Sequence, residues 1–168
     1  MSTHVITNTY AHTTTYITDK LLRSILFIIR ESGLNPAKFA GDWDWMERGI
    51  KTWLGTRDLT RVVLEVFDPR NNNLLFRWDF DIVYDYGSNG DGGFWVDTDA
   101  IRHAIRKAGL WPSQCDYRLV ASTKPGRPDV MGWSGTSLRS TAGFRRNNIG
   151  TTIGGVGAAT TTAYWRKT

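Results

Sequence analysis

The stretch that decides the fold reads Arg61-Val-Val-Leu-Glu-Val-Phe67, then Asp68-Pro-Arg-Asn-Asn-Asn73, then Leu74-Leu-Phe-Arg-Trp-Asp-Phe-Asp-Ile-Val-Tyr84. Two β-branched and aromatic runs flank a cluster of turn-forming residues, the signature of an antiparallel hairpin. In the second run Leu74, Phe76, Trp78, Phe80, Ile82 and Tyr84 share one face, and Arg77, Asp79 and Asp81 share the other. A period of two with this segregation predicts a strand with one buried and one wet face, extending to Tyr86.

Working outward, helices are expected on both sides of the hairpin. Residues 3–12 are Thr-rich and alternate loosely, which predicts a short N-terminal strand, with Thr13 to Thr15 as N-cap candidates. From Tyr16 to Ser32 the apolar stripe Ile17, Leu21, Ile25 and Ile28, widened by Leu22, Phe27 and Ile29, predicts a central helix stopped by Gly33. Residues 42–54 predict a second helix, capped by Asp42 or Asp44, with Met46, Ile50, Trp53 and Leu54 inward. After a Gly-rich loop over 87–93, Asp97 or Thr98 opens a third helix that turns Ile101, Ala104, Ile105 and Ala108 inward and Arg102, His103, Arg106 and Lys107 outward. Cys115 to Ser122 alternates again as a strand. Beyond Thr123 the chain is rich in Gly, Ser, Thr and Arg. Its Gly-rich part predicts only weakly registered strands, but Leu138, Phe144, Ile149, Ile153, Tyr164 and Trp165 are anchors that a disordered tail seldom keeps.

Composition narrows the function. With 168 residues, 40% apolar and eight Trp, one domain buries a sufficient core. The lone Cys115 excludes an internal disulfide and, with no signal-peptide pattern at the start, predicts a cytoplasmic protein. No apolar run approaches the length of a membrane span. Charge is segregated: residues 1–99 balance to −4 and residues 100–168 to +9. A basic half predicts an acidic partner, nucleic acid or a negative protein face.

Catalytic patterns are weak. Asp79 and Asp81 share a strand face, as the carboxylates of a metal-dependent nucleotidyltransferase would, but Arg77 lies on the same side and favours a structural role. The loop from Asp85 lacks the closing Glu of a calcium site, having Val96 at position twelve. No Gly-Lys-Ser/Thr follows the C-terminal glycines, and His4, His12 and His103 have no second ligand at metal spacing. No enzyme, metal or cofactor is expected.

The hairpin resembles that of HORMA domains. Arg77-Trp-Asp-Phe-Asp-Ile82 is similar to the Arg-Trp-polar-Phe-Asp-Ile run of the spindle-checkpoint Mad proteins, and Ser137-Leu-Arg-Ser-Thr141 resembles the start of their C-terminal segment. Residues 49–56, 75–84, 123–133 and 164–166 are similar to the small bacterial HORMA proteins of CBASS antiphage operons. The resemblance implies an α+β HORMA fold in a single domain. Its antiparallel sheet would pack on three helices, with a core over 1–133 and a C-terminal safety belt over 134–168. It implies that the belt closes over a closure-motif peptide added beside Cys115–Ser122. Peptide contacts would come from Tyr117, Leu119, Val120, Ala121, Leu138, Phe144, Tyr164 and Trp165. It further implies that the closed form binds and activates a cGAS/DncV-like nucleotidyltransferase (a CD-NTase) making a second messenger. An AAA+ ATPase, related to the checkpoint remodeller, would engage Val5, Ile6 and Thr7 within the segment to Tyr10 and reopen the protein. The basic residues Arg102, Arg106, Lys107, Arg139, Arg145 and Arg146 would face the nucleotidyltransferase or nucleic acid held near it. The alternative reading is a basic nucleic-acid-binding module without a switch.

Overall fold

The structure, a computed structural model, describes residues 9–85, 94–111 and 114–168. In chain order the elements are α1 (Thr9–Glu31), α2 (Ala37–Gly41), α3 (Trp43–Gly55), β1 (Leu59–Phe67), β2 (Leu74–Tyr84), β3 (Trp95–Val96), α4 (Thr98–Ala108), β4 (Asp116–Thr123), β5 (Phe144–Gly155) and β6 (Ala158–Lys167). The strands form one sheet in the order β3-β5-β6-β2-β1-β4, with every neighbouring pair antiparallel. α1 runs across one face of it, packed between α3 and α4 and against β5 and β6. Ile17, Leu21, Leu22, Ile25, Ile28 and Ile29 from α1 are fully buried against Val62, Leu64, Trp78 and Phe80 of the hairpin. The architecture is mixed α+β.

The hairpin forms as the alternation requires, with Leu64 opposite Trp78 and Val62 opposite Phe80. β2 ends at Tyr84. Its second face is not wet: Asp79 is 0% exposed and Arg77 5%. Alternation identified residues that share a face but not what covers them. Here Trp165 of β6 hydrogen-bonds Asp79 through its indole (3.0 Å) while the Arg77 guanidinium lies over its ring. Arg77 also donates to Asp79 at 2.6 Å.

Three further expectations change. Residues 9–12 are helical, not extended, and Thr13 to Thr15 lie inside α1 and do not cap it. Thr14 and Thr15 return their hydroxyls to the Ala11 carbonyl, so their side chains are satisfied within the helix. The expected strand residues 3–8 and the 87–93 loop lie outside the described residues. Asp42 stands at the start of α3 but makes no capping bond; Asp97 does cap α4, accepting from the Ala100 amide at 3.0 Å. The C-terminal region forms two long, paired strands with a defined register, interrupted by shifts at Asn148/Gly150 and Thr151/Ile153. Thr152, Thr160 and Thr162 are fully buried, and the hydroxyls of Thr152 and Thr162 bond each other at 2.7 Å across the pair. Hydroxyls paired across strands let a polar-looking segment occupy the interior.

The turn between β5 and β6 is tied to α1. Thr13 donates to the Val156 carbonyl at 2.6 Å, and a Cβ at Gly157 would approach the Tyr10 ring to 3.2 Å. Tyr10 in turn donates to the Leu54 carbonyl at the end of α3.

Candidate functional site

β4 closes one end of the sheet, so one side of its backbone has no strand beside it among the described residues. Tyr117 shows which groups point outward. Its carbonyl accepts from Lys38 and its amide donates to the Asp116 carboxylate, both away from β1. Antiparallel residues alternate, so the main-chain groups of Leu119 and Ala121 turn outward as well. The Tyr117 groups are already engaged by side chains, whereas at Leu119 and Ala121 no such bond occurs among the described residues, and free edge groups of this kind are a template for another strand.

The connection from β4 to β5, residues 124–143, passes around this edge. It first docks on α3. Trp133 packs edge-on against Trp45 and Trp53, each with ring centroids 5.1 Å away, and its indole donates to the Trp45 carbonyl. The Trp53 indole donates to the Pro128 carbonyl at 2.7 Å. Gly49 makes this possible, because a Cβ there would lie 2.1 Å from the Trp133 indole nitrogen. The segment then crosses the second face of the sheet. Arg118 of β4 holds the Thr136 hydroxyl and the Ser137 carbonyl. Arg139 reaches Glu65 of β1 twice, through its amide at 2.8 Å and its guanidinium at 2.6 Å. It also bonds Asn72 and covers the Phe67 ring at 3.7 Å. Glu65 is 0% exposed, and Arg118 binds the same carboxylate at 2.6 Å. The single acid in the apolar run of β1 therefore fastens both the edge strand and the crossing segment.

Two cavities lie along β4 inside this ring. One, about 220 Å³, is lined by the apolar Phe39, Trp45, Met46, Tyr117 and Leu119 together with the charged Lys38, Asp42 and Arg118. The other, about 230 Å³, is more polar and lies between Leu119–Ala121 and the Trp53, Arg127 and Trp133 side. Arg127 lies over the Trp53 ring at 5.1 Å. Shape and chemistry fit an extended strand with an apolar side chain at one end and polar groups at the other.

The residues singled out from the sequence fall in several places. Leu119, Val120 and Ala121 line the ring, and Tyr117 lines its apolar end while its hydroxyl donates to the Asn35 carbonyl and accepts from the Phe39 amide. Burial pushes that phenol's pKa up. Leu138 is half-buried in the crossing segment. Phe144, Tyr164 and Trp165 belong to β5 and β6, beyond β1 and β2 from the β4 edge; Tyr164 stacks on Phe76 at 5.8 Å in the core. Of the basic residues, Lys107 and Arg145 line one cleft, Arg102 pairs with Asp99, Arg146 pairs with Asp81 on the other face, and Arg139 turns inward to Glu65. Val5, Ile6 and Thr7 lie outside the described residues. Sequence reading did not single out Trp45, Trp133, Arg127, Arg118 or Glu65 for the site; a lone carboxylate in Val-Val-Leu-Glu-Val was the available signal.

Asp79 and Asp81 are engaged by Arg61, Arg77, Arg146 and Trp165, and Asp79 is fully buried. No group of three metal-type ligands occurs among the described residues. Burial raises the Cys115 thiol above its ordinary pKa, away from the reactive thiolate. No helix among the described residues is long and apolar enough to cross a membrane.

The family model described as bacterial HORMA domain 2 matches residues 1–168. The chain belongs to the bacterial HORMA domains. Solved structures agree on the fold. A chain of the mitotic checkpoint complex superposes with a TM-score of 0.71 at 9% identity, covering 93% of this chain and 99% of that one. C. elegans HTP-2 bound to the HIM-3 closure motif gives 0.62 at 11%, covering 89% of each chain. HTP-2 bound to HTP-3 closure motif 1 gives 0.62 at 11%, covering 89% of this chain and 85% of that one. No curated protein matches the sequence. In this HORMA domain the C-terminal hairpin lies against β2, and the crossing segment encircles the edge strand.

Proposed function

We propose that this HORMA domain is a non-enzymatic switch that grips a closure-motif peptide as an added strand on β4 and, in the closed form, activates a partner. The observation that carries the reading is the free edge of β4, with outward main-chain groups at Leu119 and Ala121, inside a ring made by α3 and residues 124–139. The HTP-2 structures, in which a closure motif is bound, support the choice of a peptide. Main-chain pairing would supply affinity and the two cavities would select side chains.

The partner is a CD-NTase of an antiviral CBASS system, in the cytoplasm, and an AAA+ ATPase reopens the protein from residues 5–10; these follow from the resemblance of the hairpin and the 123–133 segment. The belt over 134–168 is the part that moves. The exposed guanidinium groups of Arg102 and Arg106 are the cations offered to an acidic partner face.

Two experiments test this. A peptide selected from a display library against the whole chain should protect the Leu119 and Ala121 amides from hydrogen exchange. Ala121→Pro, which removes one outward N–H, should weaken it about tenfold, the worth of one well-made hydrogen bond. Unchanged affinity would overturn the β4 site. Messenger synthesis by the nucleotidyltransferase, measured with and without this chain, tests the activator role; synthesis independent of the chain removes it.

A further inference from the structure

On the opposite side of the molecule from β4, α4 and β5 enclose a cleft of about 480 Å³. His103 and Lys107, one helical turn apart on α4, face Arg145 across it. Its remaining lining includes Asn147, Ile149 and Tyr164, and contains no carboxylate. The pairing of these cations separates them from most others in the chain. Arg61, Arg77, Arg118 and Arg139 each bind a buried or half-buried carboxylate, whereas among the described residues none pairs with His103, Lys107 or Arg145.

The register makes the concentration of charge sharper. Arg145 stands directly opposite Arg166 on the neighbouring strand. Like charges in that position oppose pairing, so the hairpin carries a cost at the mouth of this cleft. Arg166 donates to the Lys107 carbonyl at 3.1 Å, which occupies an acceptor at the C-terminal turn of α4 that would otherwise repel an anion. The floor is different in kind: Ala104, Ile149 and Tyr164 give it apolar, partly aromatic surface. A cationic rim over an apolar floor, in a volume within the usual range for small-molecule sites, defines an amphiphilic anion.

We propose that this cleft binds a nucleotide-class phosphate ester, with the phosphates on Lys107, Arg145 and His103 and the planar base on the Ile149–Tyr164 floor. The bound phosphate relieves the Arg145–Arg166 repulsion, so ligand and C-terminal hairpin stabilise each other. This site is independent of the β4 groove.

Isothermal titration of the full chain with ADP, pyrophosphate and adenosine tests it. ADP should bind saturably, pyrophosphate more weakly and adenosine weakest, with affinity falling as salt rises. Arg145→Ala and Lys107→Ala should each weaken ADP about tenfold, the worth of one charge-assisted hydrogen bond, and circular dichroism should confirm that both fold. Arg30→Ala, exposed on α1 and outside the cleft, should leave ADP binding unchanged. Absence of saturable ADP binding, or ADP binding indifferent to Arg145→Ala, overturns the proposal. So does a Glu-rich peptide that binds this surface more tightly than ADP, since it would make the cleft a protein-docking face.

Discussion

Glu65 shows how one residue can set the state of a segment 74 positions away in sequence. Its carboxylate is fully buried and holds two guanidinium groups and one amide. Removing one member of a buried ion cluster leaves the others desolvated and unpaired, at about 3–5 kcal/mol. Glu65→Ala should therefore lower unfolding stability by that amount in urea, and should free the crossing segment first, seen as faster trypsin cleavage at Arg139. Normal cleavage there would mean that the segment is held by other contacts. Gly49 is the converse case, a residue whose value is what it lacks. Gly49→Ala should displace Trp133 from α3 without unfolding the helix, since alanine favours helix over glycine. Its Trp fluorescence should shift red, and an unshifted spectrum would show that the ring tolerates the methyl group.

The elements divide into those the sequence announced and those it hid. The hairpin, the α1 stripe and the Asp97-capped α4 were legible because each depends on a local period or a local cap. The crossing segment was not, because its hold on the protein is a set of pairings between distant residues: Trp133 with Trp45, Trp53 with Pro128, Arg139 with Glu65. β5 and β6 are hard to see in the sequence for a different reason. Their buried threonines count as polar by composition, yet in place Thr152 and Thr162 pair their hydroxyls across the strands, and Thr160 is buried with its hydroxyl unbonded. The charged face of β2 is covered, which its period of two cannot reveal, because alternation is silent about what lies over either face. A prediction belongs here as well. Trp133→Ala removes two ring contacts and one hydrogen bond from the docking of the crossing segment on α3. The residue is only partly buried, so the loss should be about 2 kcal/mol rather than the ~3–5 of a fully buried Trp. Amide hydrogen exchange across residues 126–136 should accelerate; unchanged exchange there would place the main anchor elsewhere.

At the scale of the molecule, the tyrosines fix a limit on the alkaline side. Burial raises the phenols of Tyr84, Tyr117 and Tyr10 above their ordinary value of 10.0. Each stays neutral in the folded chain at a pH where the unfolded chain has lost its proton. Their contribution is thus complete below pH 10 and is lost as pH rises from there through the folded values. Melting temperature should fall steeply above pH 10. Tyr84→Phe should be less stable at neutral pH, lacking the bond to the Leu59 carbonyl, yet should lose less on going alkaline. Equal slopes for the two proteins would assign the alkaline loss to other groups.

The tie between α1 and the β5–β6 turn has a mechanical meaning. β6 lies between β5 and β2, so the hairpin has ladders on both sides of its last strand. Pulled lengthwise, those ladders would share the load and resist as one. The Thr13–Val156 bond and the Tyr10–Gly157 contact instead join the first turns of α1 to the tip of the hairpin. Tension carried along α1 would load the tip of the hairpin through this tie, and a load applied at the tip opens a ladder one rung at a time. A weak, steady pull can then undo a structure that a lengthwise tug would leave intact.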